Sequence, residues 1–385
     1  MITIIQGGDV LSPDPLGPIT VGLAAEKIIY LGGLEEARFV DLFGEEEVEV
    51  VRAHGNFVCP GIIDCHIHLI GGSGEDGFST KSPEISLSEL VLAGITTAVG
   101  TLGADTTTRT MAALIAKVKG LREECFSAYC YTGGYPIPPA TLTGSVKSDI
   151  LFVEEVIGLG ELALADRRSS AYDIFQISPL VHDAFVAGTL SRKAGITHFH
   201  MGEGKSGLSL VRKLLDEHDV PARCVHPTHV TRTPALLAEA AEISRKGVTV
   251  DFDTVDPGDL LPSLKKFIEL GGSMDHLTFS SDADPTSPSS LIIEMRNAVQ
   301  QGNFTWPALL KHVTSVPARI LRLRDKGRIA KGYDADILIL DQKTLEVRDV
   351  FTKGRHVVKN GKLNITPRFL LKSERKGEWC GQKSR

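Results

Sequence analysis

The 385-residue chain lacks any apolar run of about 20 residues, so nothing in it reads as a membrane span. Long basic runs are missing too, and the formal net charge is −6, so nucleic acid is not an expected partner. The first residues, MITIIQGGDVLSPD, carry no positive n-region and no cleavage pattern, so no secretory signal is expected. Six cysteines (Cys59, Cys65, Cys125, Cys130, Cys224, Cys380) show no paired-ligand spacing and read as reduced thiols of a cytoplasmic protein. No fixed-period repeat points to a solenoid. Aromatics are sparse at 6%, whereas glycine is frequent at 38 residues, which suits many tight strand-to-helix loops.

The length exceeds one simple domain and fits an α/β barrel of about 250 residues plus a smaller unit. Residues 1–56 carry short β-like runs, Thr3–Gln6, Lys27–Leu31 and Val48–Val51. From 323 to 385 the pattern turns β-like again, with Asp336–Leu340 and His356–Lys362. The two ends are expected to form one small β domain. Between them, over 57–322, apolar strand runs alternate with helical stretches such as Leu208–His218 and Pro234–Lys246. The strand candidates are Cys59–Asp64, Thr96–Gly100, Ser127–Tyr131, Ile157–Ala163, Ile196–His200, Ala222–Thr228, Val248–Phe252 and Leu277–Ser281. Eight such strands close a (β/α)8 TIM-like barrel, whose active site lies at the strands' C-terminal ends.

Those ends carry metal-ligand chemistry. The run Gly61-Ile62-Ile63-Asp64-Cys65-His66-Ile67-His68 ends strand 1 with two histidines two residues apart. On a strand such positions share a face, so His66 and His68 can chelate one ion, with Cys65 expected to point away. A lone His-x-His is also met as two hydrogen-bonded histidines, so its company decides. Strand 5 ends in Thr197-His198-Phe199-His200, strand 6 runs into His226-Pro227-Thr228-His229, and strand 8 into Ser281-Asp282. Strand 4 carries Glu161 inside Ile157-Gly158-Leu159-Gly160-Glu161-Leu162-Ala163. A carboxylate in so apolar a run needs a partner or a metal. Two histidines, a glutamate, one histidine from each of strands 5 and 6, and an aspartate make an inventory for two divalent ions. The donors suit zinc and leave iron, manganese and nickel open.

The chain resembles the amidohydrolase superfamily, and within it the isoaspartyl (β-aspartyl) dipeptidases. The resemblance covers nearly the whole chain. It rests on His66-Ile67-His68-Leu69-Ile70-Gly71-Gly72-Ser73-Gly74-Glu75, Thr132-Gly133-Gly134-Tyr135-Pro136-Ile137-Pro138 and Thr143-Gly144-Ser145-Val146. It rests equally on His198-Phe199-His200-Met201-Gly202, Pro227-Thr228-His229-Val230-Thr231-Arg232, Ser280-Ser281-Asp282 and the segment from Gly327 to Ile337. The resemblance implies that His66, His68 and Asp282 hold one metal, and that His200 and His229 hold the second. It implies that Glu75 binds an α-ammonium group and that Tyr135 hydrogen-bonds the scissile carbonyl. Arg168 and Arg232 would bind carboxylates, and Asp282 would shuttle a proton. A homo-oligomer is implied as well.

One departure stands out. The dipeptidases usually bridge their metals with a carboxylated lysine on strand 4, but no lysine lies between Lys147 and Lys193. Glu161 falls at that position. Its carboxyl carbon is three side-chain atoms nearer the backbone, so the strand must come closer or the metals must shift. The stretch after Val156-Ile157-Gly158 is also one residue longer, and Gly160 is expected to mark a bulge that aims Glu161 inward. Glu154 and Glu155 precede the strand and are weaker candidates. Other superfamily members, enamidase-like enzymes among them, use a bridging glutamate. Substrate-side departures are Ser73 for a glycine, Ala104 for a threonine and Thr286 for a serine.

These residues lead to a metal-dependent amide hydrolase acting on β-aspartyl dipeptides or a related small carboxylate-bearing amide. A cyclic-amide hydrolase of the same superfamily is the alternative. A non-catalytic scaffold is disfavoured, since every ligand is present.

Overall fold

The computed structural model describes residues 2–371, so Cys380 and the flank from 372 onward lie outside the described residues. Eight parallel strands succeed one another around a barrel: Ile62–Ile67, Ile95–Gly100, Ser127–Thr132, Val156–Leu164, Ile196–Met201, Val225–Thr228, Val250–Asp253 and Leu277–Ser280. They are called barrel strands 1 to 8 below. Helices including Met111–Glu123, Ile174–Ser191, Pro234–Ser244 and Ser289–Gly302 cover the outside. Barrel strand 4, VIGLGELAL, is buried at all nine positions. That is how a parallel strand reads when helices cover one face and the barrel interior the other.

The ladder is not one ring. Strands 1 to 6 form one sheet, and strands 7 and 8 pair separately. The last three strands are only four residues long, so other bonds span the seams. Between strands 8 and 1, the Asp282 N–H donates to His66 O (3.0 Å) and the His68 N–H to Ala283 O (3.1 Å). Between strands 6 and 7, Thr228 Oγ1 donates to Asp251 Oδ2 at 2.8 Å.

Several boundaries differ from expectation. The anticipated strand Cys59–Asp64 is split at Gly61. Asn56–Pro60 pairs with Ile337–Asp341 in the flanking sheet, and the barrel strand begins at Ile62. The apolar run is continuous in sequence, so its division between two sheets leaves no mark in hydropathy. Residues 222–224, expected in strand 6, form a single 3-10 turn. Strand 7 ends at Asp253 rather than Phe252. The flanks form two sheets. Ile2–Gln6, Thr20–Ala24, Lys27–Gly32 and Val48–Arg52 make a four-stranded one. Strands from both chain ends make a seven-stranded one.

Ile63, Cys65, Val99, Tyr131, Ile157 and Ile196 fill the lower barrel interior, closed by Ala318, Ile320 and Leu321. Above this plug two bulges re-aim side chains. Strand 1 gains a residue between Asp64 and Ile67 relative to strand 2, and strand 4 gains one between Leu159 and Leu162 relative to strand 5. Gly160, whose peptide bond to Glu161 is cis, lies in the second bulge. A Cβ on Gly160 would meet His198 Cβ at 2.7 Å and His198 O at 3.0 Å. Strand 4 therefore presses on strand 5 at this point, and the close approach carries the short Glu161 side chain toward the axis.

Gly160→Ala is expected to force these strands apart. We expect a stability loss of about 1–3 kcal/mol, as overpacked cores show, together with sub-stoichiometric metal binding. Thermal unfolding with and without metal checks this; unchanged melting and full metal content would contradict it.

Candidate metal centre

The donors converge above the plug. Glu161 is fully buried, and its carboxylate sits among four imidazoles. Its Oε2 lies 3.3 Å from His66 Nε2, 3.2 Å from His200 Nδ1 and 4.0 Å from His229 Nε2, while Oε1 lies 3.5 Å from His68 Nε2. Asp282 Oδ1 is 3.3 Å from His66 Nε2 and 3.2 Å from His68 Nε2, and its Oδ2 is 3.7 Å from His229 Nε2. Among the donor sets that result are His66–His68–Asp282, Glu161–His200–His229 and, overlapping both, His66–Glu161–His198. All six residues expected from the strand ends thus meet in one place. Glu154 and Glu155 pair instead with Arg122 and Lys119. Cys65 also lies apart, with Sγ 3.6 Å from Asp251 Oδ1 in the barrel interior.

Local backbone delivers these groups. His229 follows directly on strand 6 and Asp282 follows strand 8 after one intervening residue, and both adopt positive φ, 59° and 44°. Non-glycine residues held there store about 1–3 kcal/mol, a cost borne at functional turns. Asp64 ties the two metal-bearing strands together by accepting from Ser281 Oγ, the Ser281 N–H and the His66 N–H. Burial pushes its carboxyl up to about 7.

The donors fit a cation. His66 Nε2, Glu161 Oε1 and Asp282 Oδ1 are buried without a hydrogen-bond partner. Buried polar atoms are rarely left so, and an ion satisfies them together. Burial opposes a charge on His66, but Asp282 and Glu161 outweigh it and raise its pKa to about 10. Burial likewise works against an ionised Glu161, yet His66 and His200 hold its pKa well below the usual range. Two orienting carboxylates were not singled out from sequence. Asp253 Oδ2 lies 2.8 Å from His229 Nδ1, and Asp166 Oδ2 lies 3.0 Å from His200 Nε2. Each leaves the other ring nitrogen facing Glu161, the role carboxylates take behind metal-bound histidines. A strand-7 end drawn at Asp253 would have flagged the first. The second, Asp166, lies just past the end of strand 4 at Leu164, where no local pattern marks it.

A cavity of about 390 Å3 opens above the donors, lined by Ser73, Glu75, Tyr135, Arg168, Arg232 and Asp282 among others. Tyr135 OH lies 2.7 Å from His200 Nδ1, and burial keeps its phenol protonated. Arg168 donates to Glu75 Oε1 (2.8 Å) through Nη1 and to Asp166 through Nε and Nη2. Arg232 Nη1 donates to the Met201 carbonyl at 2.8 Å. Ser73 lines the cavity, but its hydroxyl is engaged by Asp284 Oδ2 at 2.8 Å. Thr286 does not line the cavity; its Oγ1 is buried without a partner.

The Amidohydrolase family pattern matches residues 186–363. The β-aspartyl dipeptidase of Fervidobacterium islandicum AW-1 is 35% identical, with a TM-score of 0.90 over 95% of this chain and 99% of that one. Its structure in complex with a β-Asp-Leu dipeptide gives 34% and 0.88. A triazine hydrolase variant shares the fold alone, at 14% identity and a TM-score of 0.67 over 96% of this chain and 98% of that one. Among curated proteins, the adenine deaminase of Petrotoga mobilis is 26% identical over 83% of this chain and 52% of its own length. The chain thus spans about half the length of the adenine deaminases it matches. It belongs to the amidohydrolase family and carries a buried His/Asp/Glu cluster consistent with a two-metal site.

The raised pKa of His66 gives a pH dependence. Its ring is protonated below about pH 10 in the metal-free site, so an ion must displace that proton. Metal affinity should therefore fall as pH falls, by about tenfold per pH unit for one displaced proton. Chelator competition between about pH 6 and 8 measures this, and a flat affinity would contradict it.

Proposed function

We propose that the chain hydrolyses the amide bond of β-aspartyl dipeptides, using two divalent ions, most simply zinc. The observation that carries the substrate class is the Glu75–Arg168 pair, made across the cavity at 2.8 Å. A zwitterion answers both partners at once, its ammonium meeting Glu75 and its carboxylate Arg168. Arg232 supplies a second fork for the other carboxylate, since guanidinium reads carboxylates in two-point fashion. The dipeptide named with the Fervidobacterium enzyme has this charge pattern.

His66, His68 and Asp282 would hold one ion, His200 and His229 the other, with Glu161 between them. Bound there, the ions would polarise the scissile carbonyl and acidify the attacking water. Asp282, ionised because His66, His68 and His229 outweigh its burial, accepts the proton of that water. It then returns the proton to the leaving nitrogen, as general base and then general acid. Tyr135, kept protonated, donates to the carbonyl oxygen as charge develops on it. For this its OH must leave His200 Nδ1, the nitrogen that faces Glu161. The zinc assignment rests on the imidazole and carboxylate donors.

Turnover of β-Asp-Leu by zinc-replete protein is the direct test. No turnover, with hydrolysis of a lactam or hydantoin instead, would replace this substrate class by the cyclic amides. If the dipeptide is cleaved, Arg168→Met should lower kcat/KM about 10- to 100-fold, the loss of one charge-assisted contact. Loss of metal in that variant would trace the effect to His200 instead, whose Nε2 lies 2.8 Å from Arg168 Nη2. Asp282→Asn should abolish turnover.

A further inference from the structure

Beneath the metal donors lies a fully buried polar chain that the proposed reaction does not use. It starts at Asp251, an acceptor only, which takes hydrogen bonds from Thr278 Oγ1 (2.6 Å), Thr228 Oγ1 (2.8 Å) and Ser280 Oγ. Thr278 has one proton and gives it to Asp251 rather than to the Val250 carbonyl at 3.4 Å. Its oxygen must then accept from His226 Nε2–H, 2.9 Å away. A neutral imidazole carries one proton. His226 Nδ1 is therefore bare, and it accepts from His198 Nδ1–H at 2.9 Å. By the same rule His198 Nε2 is left with a lone pair and no proton.

That nitrogen is buried and has no partner. A ring nitrogen of His198 falls within 4.8 Å of donor atoms of His66 and Glu161, and Glu161 Oε1 is orphaned as well. Two acceptors thus share a buried space beside His66. A cation between them satisfies both at once. The bulge at Gly160, pressed against His198, brings the two strands together here.

We propose that His198 is a further metal ligand. It supplies its Nε2 lone pair to the ion shared by His66 and Glu161. Asp251, Thr278 and His226 are its positioning residues, because they dictate which nitrogen is bare. The short arm of Glu161 is what draws the ion within its reach. This rests on the two-metal reading above.

The test uses cobalt(II)-loaded protein, X-ray absorption to count imidazoles, and chelator competition to measure each ion's affinity. Wild type should show five imidazoles over two ions. His198→Gln and His198→Phe should lose one of them and weaken one ion at least about tenfold, with the other unchanged. Thr278→Val, which removes the acceptor for His226 and one donor to Asp251 but touches no metal donor, should shift the same ion in the same direction by less. Folded His198 variants that bind two ions with wild-type affinity and an unchanged cobalt spectrum would overturn the proposal. If neither His198 variant folds, the wild-type count decides, and four imidazoles would overturn it. A wild type binding one ion would refute the two-metal reading instead. The imidazoles counted at that ion would still accept or reject His198.

Discussion

A carboxylate without access to water must find compensating charge within a few ångströms, and Glu161 is such a group. Everything at the top of the barrel answers that demand. Four histidines face it, and the strand that carries it is bulged and pressed on its neighbour to bring it there. Remove the carboxylate, and the histidines are left as buried, mutually close rings with little reason to share one space. Remove the histidines, and the charge is stranded in one of the most apolar strands of the fold.

Around this core the structure repeats one device, a carboxylate behind an imidazole. Asp253 stands behind His229 and Asp166 behind His200. Asp166 is also gripped by Arg168, and Arg168 in turn holds Glu75. Metal donors and the cavity's charged lining are therefore one hydrogen-bonded body. A change in the substrate's carboxylate contacts reaches His200 directly, since Arg168 Nη2 and Arg232 Nη1 lie 2.8 Å and 2.9 Å from its Nε2.

Much of this was legible in the sequence, for physical reasons. Strand ends with histidine stand out because imidazole is rare in apolar runs, and Glu161 stands out because a charge inside Ile157–Ala163 demands an explanation. Gly160 signalled the bulge, since a residue without Cβ beside that charge marks close backbone approach. What escaped depends on direction rather than composition. His200 faces Glu161 as expected, but the approach of His198 to the same carboxylate turns on the register shift between strands 4 and 5. The tautomers below depend on one threonine proton. The split at Gly61 hides inside a uniform apolar run, because burial in a flanking sheet and burial in a barrel look alike in hydropathy. Ser73 was expected to face the substrate, but Asp284, two residues beyond Asp282, takes up its hydroxyl.

That last contact belongs to a larger clamp. Asp284 accepts from the Gly72 N–H, Ser73 Oγ and Ser82 Oγ. A Cβ on Gly72 would meet the Asp284 carboxylate at 2.4 Å, so a side chain there would push the carboxylate out of this clamp. The loop bearing Glu75 and the turn bearing Asp282 are consequently a single transplantable part. Grafting the first loop alone from a relative of different specificity would leave Asp284 without its partners, two residues from the proton-transfer group. Redesign of what this barrel accepts has to move both segments together, as one cassette.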